Sequence, residues 1–231
     1  MNPVLVLTHN NLTLTKRCVD AIRKQDIPTD LFIFDNGSTD GSPEWIDSLG
    51  VPGMLHPENK GVSYGWNLGL EFCFEDGAEQ VLAIGNDTVI PPGFYRTLLE
   101  SNKHFYIPFL TGVAVDNMEQ ALQTPIIEYL TPRPDFSAFV ITRDAWDKIG
   151  RFDERMVHYC SDCDYHVRGH RLGVPMMKAA IPFYHERSST LRLASPEDRL
   201  EIETQANKDR QMFHSIYGCL PGSKEYEAIF L

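Results

Sequence analysis

Three short apolar segments, each followed at once by polar residues, constrain the fold of this chain most strongly. PVLVLT (3–8), LFIFD (31–35) and VLAIG (81–85) are continuous apolar runs of the kind found in strands buried on both faces. Helical patterns separate them, so strands and helices alternate along the first part of the chain. This alternation predicts an α/β fold, a mostly parallel sheet flanked by helices.

The helices of this pattern have recognisable ends. Asn10 or Asn11 is the candidate N-cap of the first helix, and Ser42, followed by Pro43, is that of the second. Residues 63–77 predict a third helix that stops at a glycine. A charged helix is expected from Pro196 to about Tyr217, wrapped against the same domain.

Polar residues follow each of the three predicted strands at the point where it ends. The ends read Thr8–His9–Asn10, Asp35–Asn36–Gly37 and Asn86–Asp87–Thr88. In open α/β sheets, ligands bind outside the carboxyl ends of the strands. We therefore expect the functional site at this edge.

Length and composition limit the class of protein. The 231 residues carry 21 basic and 32 acidic side chains, a formal charge of −11, which disfavours tight non-specific binding to nucleic acid. No segment approaches the roughly 20 apolar residues that cross a bilayer, and the N-terminus does not resemble a signal peptide. The five cysteines are odd in number and mostly far apart, which favours reduced thiols and a cytoplasmic location.

Two aspartates at the strand ends have chemistry suited to a nucleotide, although neither P-loop nor dinucleotide-binding glycine motifs follow the first strand. The Asp35 carboxylate, an acceptor only, could pair with the imide N–H of uracil or thymine or with a ribose hydroxyl. Asp87 could bind Mg²⁺ or Mn²⁺ together with phosphate oxygens. The alternatives left open are a capped turn at Asp35 and a helix N-terminal charge at Asp87, before Pro91.

The order of the motifs then resembles a known family. The segments concerned are VLVLTHNN, FIFDNGSTDGS, NKGVSYGWNLGL (59–70), AIGNDTVIPPGF, SAFVITRDAWDKIGRFDE (137–154), SDCDYHVRGHRLG (161–173) and YHERSS (184–189). Together they resemble the GT-A-fold nucleotide-sugar glycosyltransferases of family 2, especially the rhamnosyltransferase-like branch. The resemblance implies one GT-A domain over 1–195, with a nucleotide-sugar half of about 1–100, an acceptor half of about 101–195, and a helical extension over 196–231.

The same resemblance implies a set of site residues. Asp162 is the expected catalytic base, with Asp164 as the alternative, and Trp146 and Asp164 are expected on the acceptor side. Asp87 and His185 are the expected ligands of Mn²⁺ or Mg²⁺. The expected nucleotide-sugar-binding residues are Thr8, His9, Asn10, Asp35, Asn59, Gly61, Asn67, Asn86 and Asp87.

The implied reaction is transfer of a sugar from a UDP- or dTDP-sugar to an acceptor hydroxyl by direct displacement, with inversion at the anomeric carbon. The metal would neutralise the leaving diphosphate while a carboxylate accepts the acceptor's proton. Two positions depart from the family pattern. Gly85–Asn86–Asp87 carries one carboxylate where many relatives have two, and Ser161 stands where a glutamate usually precedes the base.

Other functions remain open at this stage. The fold could serve a nucleotide-sugar-binding protein without turnover. The acceptor could be a hydroxylated DNA base, held by a basic strip of Arg143, Lys148, Arg151 and Arg155. A zinc site around the Cys160–Cys163 pair is disfavoured, because its spacing to the nearby histidines is too short for a zinc finger.

Overall fold

A computed structural model describes residues 2–123, 127–131, 134–186, 192 and 195–231. In these residues a single nine-stranded sheet has the order β3–β2–β1–β4–β8–β6–β9–β5, with β7 paired to β9. The strands are β1 (Pro3–Thr8), β2 (Asp30–Asn36), β3 (Gly53–His56), β4 (Gln80–Gly85), β5 (Thr88–Val89), β6 (Phe109–Val115), β7 (Ile127–Thr131), β8 (Ala138–Thr142) and β9 (Met176–His185).

Helices cover both faces of this sheet. They are α1 (Leu12–Arg23), α2 (Ser42–Ser48), α3 (Val62–Glu75), α4 (Phe94–Phe105), α5 (Met118–Gln123), α6 (Arg143–Ile149), α7 (Ser161–Arg171), α8 (Pro196–Tyr217) and α9 (Lys224–Glu227), the last continued by a 3-10 turn at Ala228–Phe230. The predicted α/β class is confirmed. Among the described residues, no helix has the length and apolar character needed to cross a bilayer.

Strand β1 shows why the apolar run forms a central strand. All six of its residues are buried, with Val4 and Val6 in the core on one face of the sheet and Leu5 and Leu7 in the core on the other. Side chains alternate between faces along a strand, so an unbroken apolar run requires cover on both. Each such aliphatic side chain contributes about 1.5–3 kcal/mol when fully buried.

The first four strands in the sheet order run parallel, as the sequence predicted. Strands β2 and β4 flank β1, and β3 pairs with β2, all in the same direction. Beyond β4 the directions mix. Strand β8 is antiparallel to both β4 and β6, whereas β9 is parallel to β6 and antiparallel to β5 and β7.

The helix starts differ in detail from the sequence-based prediction. Asn11 occupies the N-cap of α1 with a positive φ of 61° and makes no side-chain capping bond. The Leu12 N–H instead donates to Oδ2 of Asp40 at 2.9 Å. Asp40 also accepts from the Ser42 hydroxyl at 2.6 Å, and Ser42 is itself the first residue of α2, after Gly41 at the N-cap. One carboxylate thus anchors two helices, which local spacing does not reveal.

Helix α8 has the predicted bounds and packs against α7. A small apolar cluster of Met156, Val167, Phe213, Cys219 and Tyr226 joins the C-terminal segment to the residues before and within α7. The division at residue 195 stays a prediction, since the extension shares this cluster with the preceding residues.

Candidate active site

A cleft of about 1540 Å³ opens at the carboxyl ends of β1 and β4. Its walls come from distant parts of the chain, which the parallel strands bring to one edge. They include residues 9–11 after β1, Asp87 after β4, the loops at 134–137 and 157–162, and one face of α8 between 200 and 208. The expected edge of the sheet is therefore where the cleft lies.

Asp87 and His185 meet at this cleft. Nε2 of His185 lies 3.3 Å from Oδ2 of Asp87, and both side chains are partly exposed, at 22% and 19%. The pairing of β5 with β9 places Thr88 opposite His185, and the Glu186 N–H donates to the Asp87 backbone carbonyl at 2.9 Å. Backbone pairing of segments almost 100 residues apart thus assembles the pair of predicted metal ligands.

Ser137 orients the imidazole of this pair. Its hydroxyl lies 3.1 Å from Nδ1 of His185, on the far side of the ring from Asp87. A partner at one ring nitrogen fixes the tautomer and orientation of a metal-binding histidine. The sequence predicts no role for Ser137, because only the fold brings it beside His185.

Gly85 leaves room for the Asp87 carboxylate. A Cβ atom at position 85 would lie 3.1 Å from Oδ1 of Asp87, closer than nearly all real contacts of this kind. The absence of a side chain at 85, which the sequence shows as a departure from the family pattern, is therefore compatible with the observed position of Asp87.

Asp162 lies in the first turn of α7 and lines the same cleft. Its side chain is open to cleft solvent, and Oδ1 accepts the Cys163 N–H at 2.8 Å. Although the side chain is exposed in the cleft, the protein atoms around it reduce the hydration of the carboxylate and raise the pKa of Asp162 above its usual value, and the Asp135 carboxylate acts in the same direction. A raised pKa makes the ionised carboxylate a stronger base.

Asp35 lies beneath the turn that follows β1. It is 1% exposed and accepts both the hydroxyl and the backbone N–H of Ser38, the latter at 3.2 Å. The Asn10 N–H donates to the same hydroxyl at 2.6 Å. Asp35 therefore supports the turn at Asn10 indirectly, through Ser38. Burial raises the pKa of the Asp35 carboxyl. The capped turn is present, and base recognition by Asp35 stays a prediction.

Asn36 joins the turn after β1 to the loop at 59–61, and both are expected to bind the nucleotide. The sequence predicts no role for Asn36 itself. Its side-chain amide donates to Oδ1 of Asn59 at 3.1 Å and to the Gly61 carbonyl at 2.9 Å. Its Oδ1 accepts the Lys60 N–H at 3.1 Å, and its backbone carbonyl lies 2.9 Å from Nδ1 of His9. The predicted residues His9 and Asn59 both line the cleft, tied together through this asparagine.

The amide of Asn86 points into the protein. Its Nδ2 donates to Oγ1 of Thr8 at 2.9 Å, to the Asn10 carbonyl at 2.9 Å and to Oγ1 of Thr15 at 3.0 Å. Thr8 is itself buried, 2.9 Å from the Thr15 hydroxyl. Both residues thus join β1 and α1 to the end of β4. They support the residues that line the cleft without lining it themselves.

Asn67 is likewise fully buried. Its Nδ2 donates to the Phe152 carbonyl at 3.0 Å and to Oε1 of Glu154 at 2.8 Å, while its Oδ1 accepts the Phe152 N–H at 2.7 Å. These bonds fasten α3 to the segment ahead of α7. Donor binding through Asn67 would therefore be indirect.

The structure places Trp146 and Asp164 away from the cleft. Trp146 packs in the core near Phe74, with ring centroids 6.0 Å apart. Asp164 is 2% exposed and accepts Arg168 Nε at 2.8 Å and the Tyr217 hydroxyl at 2.7 Å. The described residues that line the cleft include neither, so we carry neither forward as an acceptor contact.

The structure does not support a zinc site around Cys160 and Cys163. In the described part of the chain, no three His, Cys, Asp or Glu side chains come together as metal ligands. His166 stacks on Phe230 with centroids 4.3 Å apart, and burial lowers the pKa of His166 to about 4.

Part of the YHERSS motif (184–189) is outside the part of the chain that the structure describes, namely residues 187–189.

Comparisons with known proteins agree with this architecture. An uncharacterized protein of Mycobacterium tuberculosis, Rv1525, is 29% identical over 106 residues, 42% of this chain and 41% of that protein, and Mb1552 of Mycobacterium bovis matches equally. The chain thus spans about two-fifths of the length of these curated relatives.

Solved structures share the fold at low identity. TarS 1-349 of S. aureus, solved with UDP-GlcNAc, has a TM-score of 0.63 at 13% identity and covers 100% of this chain and 78% of that one. The mannosyltransferase PcManGT of Pyrobaculum calidifontis, solved with GDP-Man and Mn²⁺, has a TM-score of 0.59 at 14% identity and covers 99% of this chain and 82% of that one. These glycosyltransferases show the predicted GT-A fold. The model of the glycosyl transferase family 2 matches residues 4–152, and the chain belongs to that family.

Proposed function

We propose that this protein transfers a sugar from a nucleoside diphosphate donor to an acceptor hydroxyl, with inversion at the anomeric carbon and with the help of a divalent cation. The observation that carries the proposal is that Asp87, His185 and Asp162 line one cleft, at the strand edge where ligands bind in such sheets. Family membership and the nucleotide sugars bound to structures of the same fold support it.

The residues present suit a divalent cation. Asp87 offers carboxylate oxygen and His185 offers imidazole nitrogen 3.3 Å away, a spacing at which both atoms can bind one ion. Ser137 holds the other ring nitrogen. Carboxylate suits both Mg²⁺ and Mn²⁺, which we propose as the alternatives, and two protein ligands leave positions for diphosphate oxygens. When bound, such a cation stabilises negative charge on the leaving diphosphate.

Asp162 is the proposed base. Its carboxylate lines the cleft and can accept the proton of the attacking hydroxyl. Helix α7 fixes it through the Cys163 N–H. Direct attack by the acceptor hydroxyl, with Asp162 as the base, corresponds to single displacement and thus to inversion.

The nucleoside is proposed to lie over the turn after β1. His9, Asn10 and Asn59 line the cleft there, above the buried carboxylate of Asp35. For Asp35 to accept the imide N–H of uracil or thymine, the Ser38 hydroxyl that it now accepts would have to turn aside. We propose a UDP- or dTDP-sugar as the donor, because uracil and thymine both present an imide N–H that a carboxylate can accept.

A hydroxylated DNA base is a less favoured acceptor. Arg151 pairs with Glu71 and with Glu154, Arg155 pairs with Asp153, and Arg143 donates to backbone carbonyls. Phosphates would have to displace these partners, and the charges of Arg151 and Arg155 are already paired within the protein.

The test is a panel of UDP-, dTDP- and GDP-sugars incubated with Mn²⁺, Mg²⁺ or EDTA, with release of nucleoside diphosphate as the readout. We expect one donor to be turned over, with cation dependence and with loss of activity in Asp87→Ala. Asp26→Ala, which removes a surface partner of Arg96, is the matched control and should behave as the wild type. Donor binding without release across a broad acceptor panel would instead support a binding protein, and no binding to any donor would contradict both functions.

A further inference from the structure

Helix α8 carries a buried carboxylate, Asp209, that lies beyond the residues matched by the family model. Asp209 is 0% exposed, and its side chain accepts four hydrogen bonds. Oδ2 accepts the His158 and Tyr159 N–H groups, each at 2.8 Å, and Oδ1 accepts the Val157 N–H at 3.1 Å and Gln205 Nε2 at 2.7 Å. Both oxygens therefore have two donors.

These bonds are unusual because three of the donors are successive backbone amides of an irregular segment. Residues 157–160 belong to no helix or strand. Successive N–H groups that converge on one carboxylate form an anion-binding concavity, so the segment is shaped around Asp209. A buried charge is costly unless it is hydrogen-bonded. The amides of residues 157–159 therefore stabilise the Asp209 carboxylate, and the carboxylate in turn holds these residues in place.

The segment held in this way touches both halves of the proposed site. On one side, the Val157 carbonyl accepts the Val62 N–H at 2.7 Å, beside Gly61 of the expected donor loop. On the other, the segment runs directly into α7, whose second residue is Asp162. His158, Tyr159 and Cys160 between them line the cleft.

We propose that Asp209 is a positioning residue, which holds the cleft wall at 157–160 and thereby places Asp162 against the donor site. The proposal rests on the proposed function for its catalytic consequence. Its structural part, the hold on three backbone amides, stands on the observed contacts alone. Asp209 itself does not line the cleft, so it acts through the segment that it binds.

The first measurement is amide hydrogen exchange of the wild-type protein. The His158 and Tyr159 amides should be protected although they lie outside regular structure, since Asp209 is their acceptor. Exchange of these amides at the rate of exposed loops would overturn the proposal without any variant.

The second measurement uses Asp209→Asn, which keeps the shape but places an NH₂ group against backbone donors. We expect faster exchange at 157–159 with strand β4 still protected, and a fall in kcat of about 10²-fold, as small misplacements of catalytic groups produce, with a smaller change in the donor KM. Wild-type kcat, or unchanged exchange at 157–159, would overturn the proposal.

Tyr95→Phe is the matched control for a general loss of stability. It removes a buried hydrogen bond from the Tyr95 hydroxyl to the Pro3 carbonyl, 2.9 Å long, at the amino end of β1 and so at the opposite edge from the cleft. This variant should keep the wild-type kcat and exchange at 157–159. An equal loss of kcat in Tyr95→Phe would assign the Asp209 effect to stability and overturn the positioning role. A wild-type protein that turns over no donor would contradict the proposed function only, because amide exchange still decides whether Asp209 holds the wall.

Discussion

At the scale of single residues, the protonation state of Asp162 decides whether the proposed base can work. Only the ionised carboxylate accepts a proton, and desolvation in the cleft raises its pKa. Activity should therefore be full at pH values above this raised pKa and should fall as pH decreases through it. The acid limb should lie at higher pH than that of an ordinary aspartate.

Asp162→Asn should lower kcat by about 10²–10⁴-fold, since it removes the base, and should leave donor affinity nearly unchanged. The residual rate should no longer show the acid limb. The measurement is the pH dependence of kcat/KM for both proteins. An unchanged acid limb in Asp162→Asn would show that another group titrates.

A second prediction concerns Ser137, which contacts His185 at the ring nitrogen away from Asp87. Ser137→Ala should weaken Mn²⁺ binding by about 10–100-fold, as loss of the group that orients a metal-binding histidine typically does. Calorimetric titration with Mn²⁺ in the presence of nucleoside diphosphate measures it. Ser48→Ala, which removes a hydroxyl bonded to the Trp45 carbonyl in α2, is the control. Equal affinity in Ser137→Ala and in the control would remove Ser137 from the proposed site.

At the scale of elements, the loop at 59–61, which is expected to bind the donor, closely approaches the cleft wall at 157–160. Gly61 has a φ of +91°, and a Cβ atom there would overlap Val157. Gly77 has a φ of +95° with nothing within 4 Å of such an atom. Substitution at either glycine causes backbone strain, but only substitution at Gly61 also causes crowding, so a comparison of the two separates these costs.

Gly77→Ala should cost about 1 kcal/mol of unfolding free energy from the left-handed conformation alone. Gly61→Ala should cost about 1–3 kcal/mol more, because the methyl group overpacks the contact, and it should also weaken donor binding. Urea denaturation and donor titration of both variants test this. Equal losses of unfolding free energy in the two variants would mean that the structure around Gly61 and Val157 accommodates the added methyl group without further destabilisation.

Local sequence patterns predict some elements of this fold but not the contacts that join distant segments. The apolar runs and helix spacings predicted β1, β2, β4 and α8 well, since each pattern is local. The capping of α1 by Asp40, the orientation of His185 by Ser137 and the hold of Asp209 on residues 157–159 join segments 28 or more residues apart. No local pattern encodes such contacts, so they became visible only in the fold.

The resemblance predicts which positions belong to the site but not which contacts each side chain makes. Asn67 and Asn86 were expected at the nucleotide, and both amides instead bond to neighbouring protein segments. A buried asparagine beside a site and one that contacts the ligand have the same sequence signal. Only hydrogen-bond partners distinguish them.

At the scale of the whole molecule, charge argues against nucleic acid as acceptor. The net charge is −11, and the arginines of the basic strip have partners within the protein. We expect no shift of duplex DNA in an electrophoretic assay, even at low ionic strength, where phosphate contacts are strongest. A shift that weakens steeply with added salt would instead favour the modified-base acceptor.

The central claim is that one cleft holds the donor diphosphate and cation at Asp87 and His185, with Asp162 on the acceptor side. The most direct measurement is a crystal structure with Mn²⁺ and an unreactive donor analogue, using the anomalous signal of manganese. We expect an anomalous peak bonded to Asp87 and to Nε2 of His185, with the Asp162 carboxylate facing the side of the anomeric carbon opposite the diphosphate. A manganese peak away from this pair, or a donor whose anomeric carbon faces away from Asp162, would contradict it.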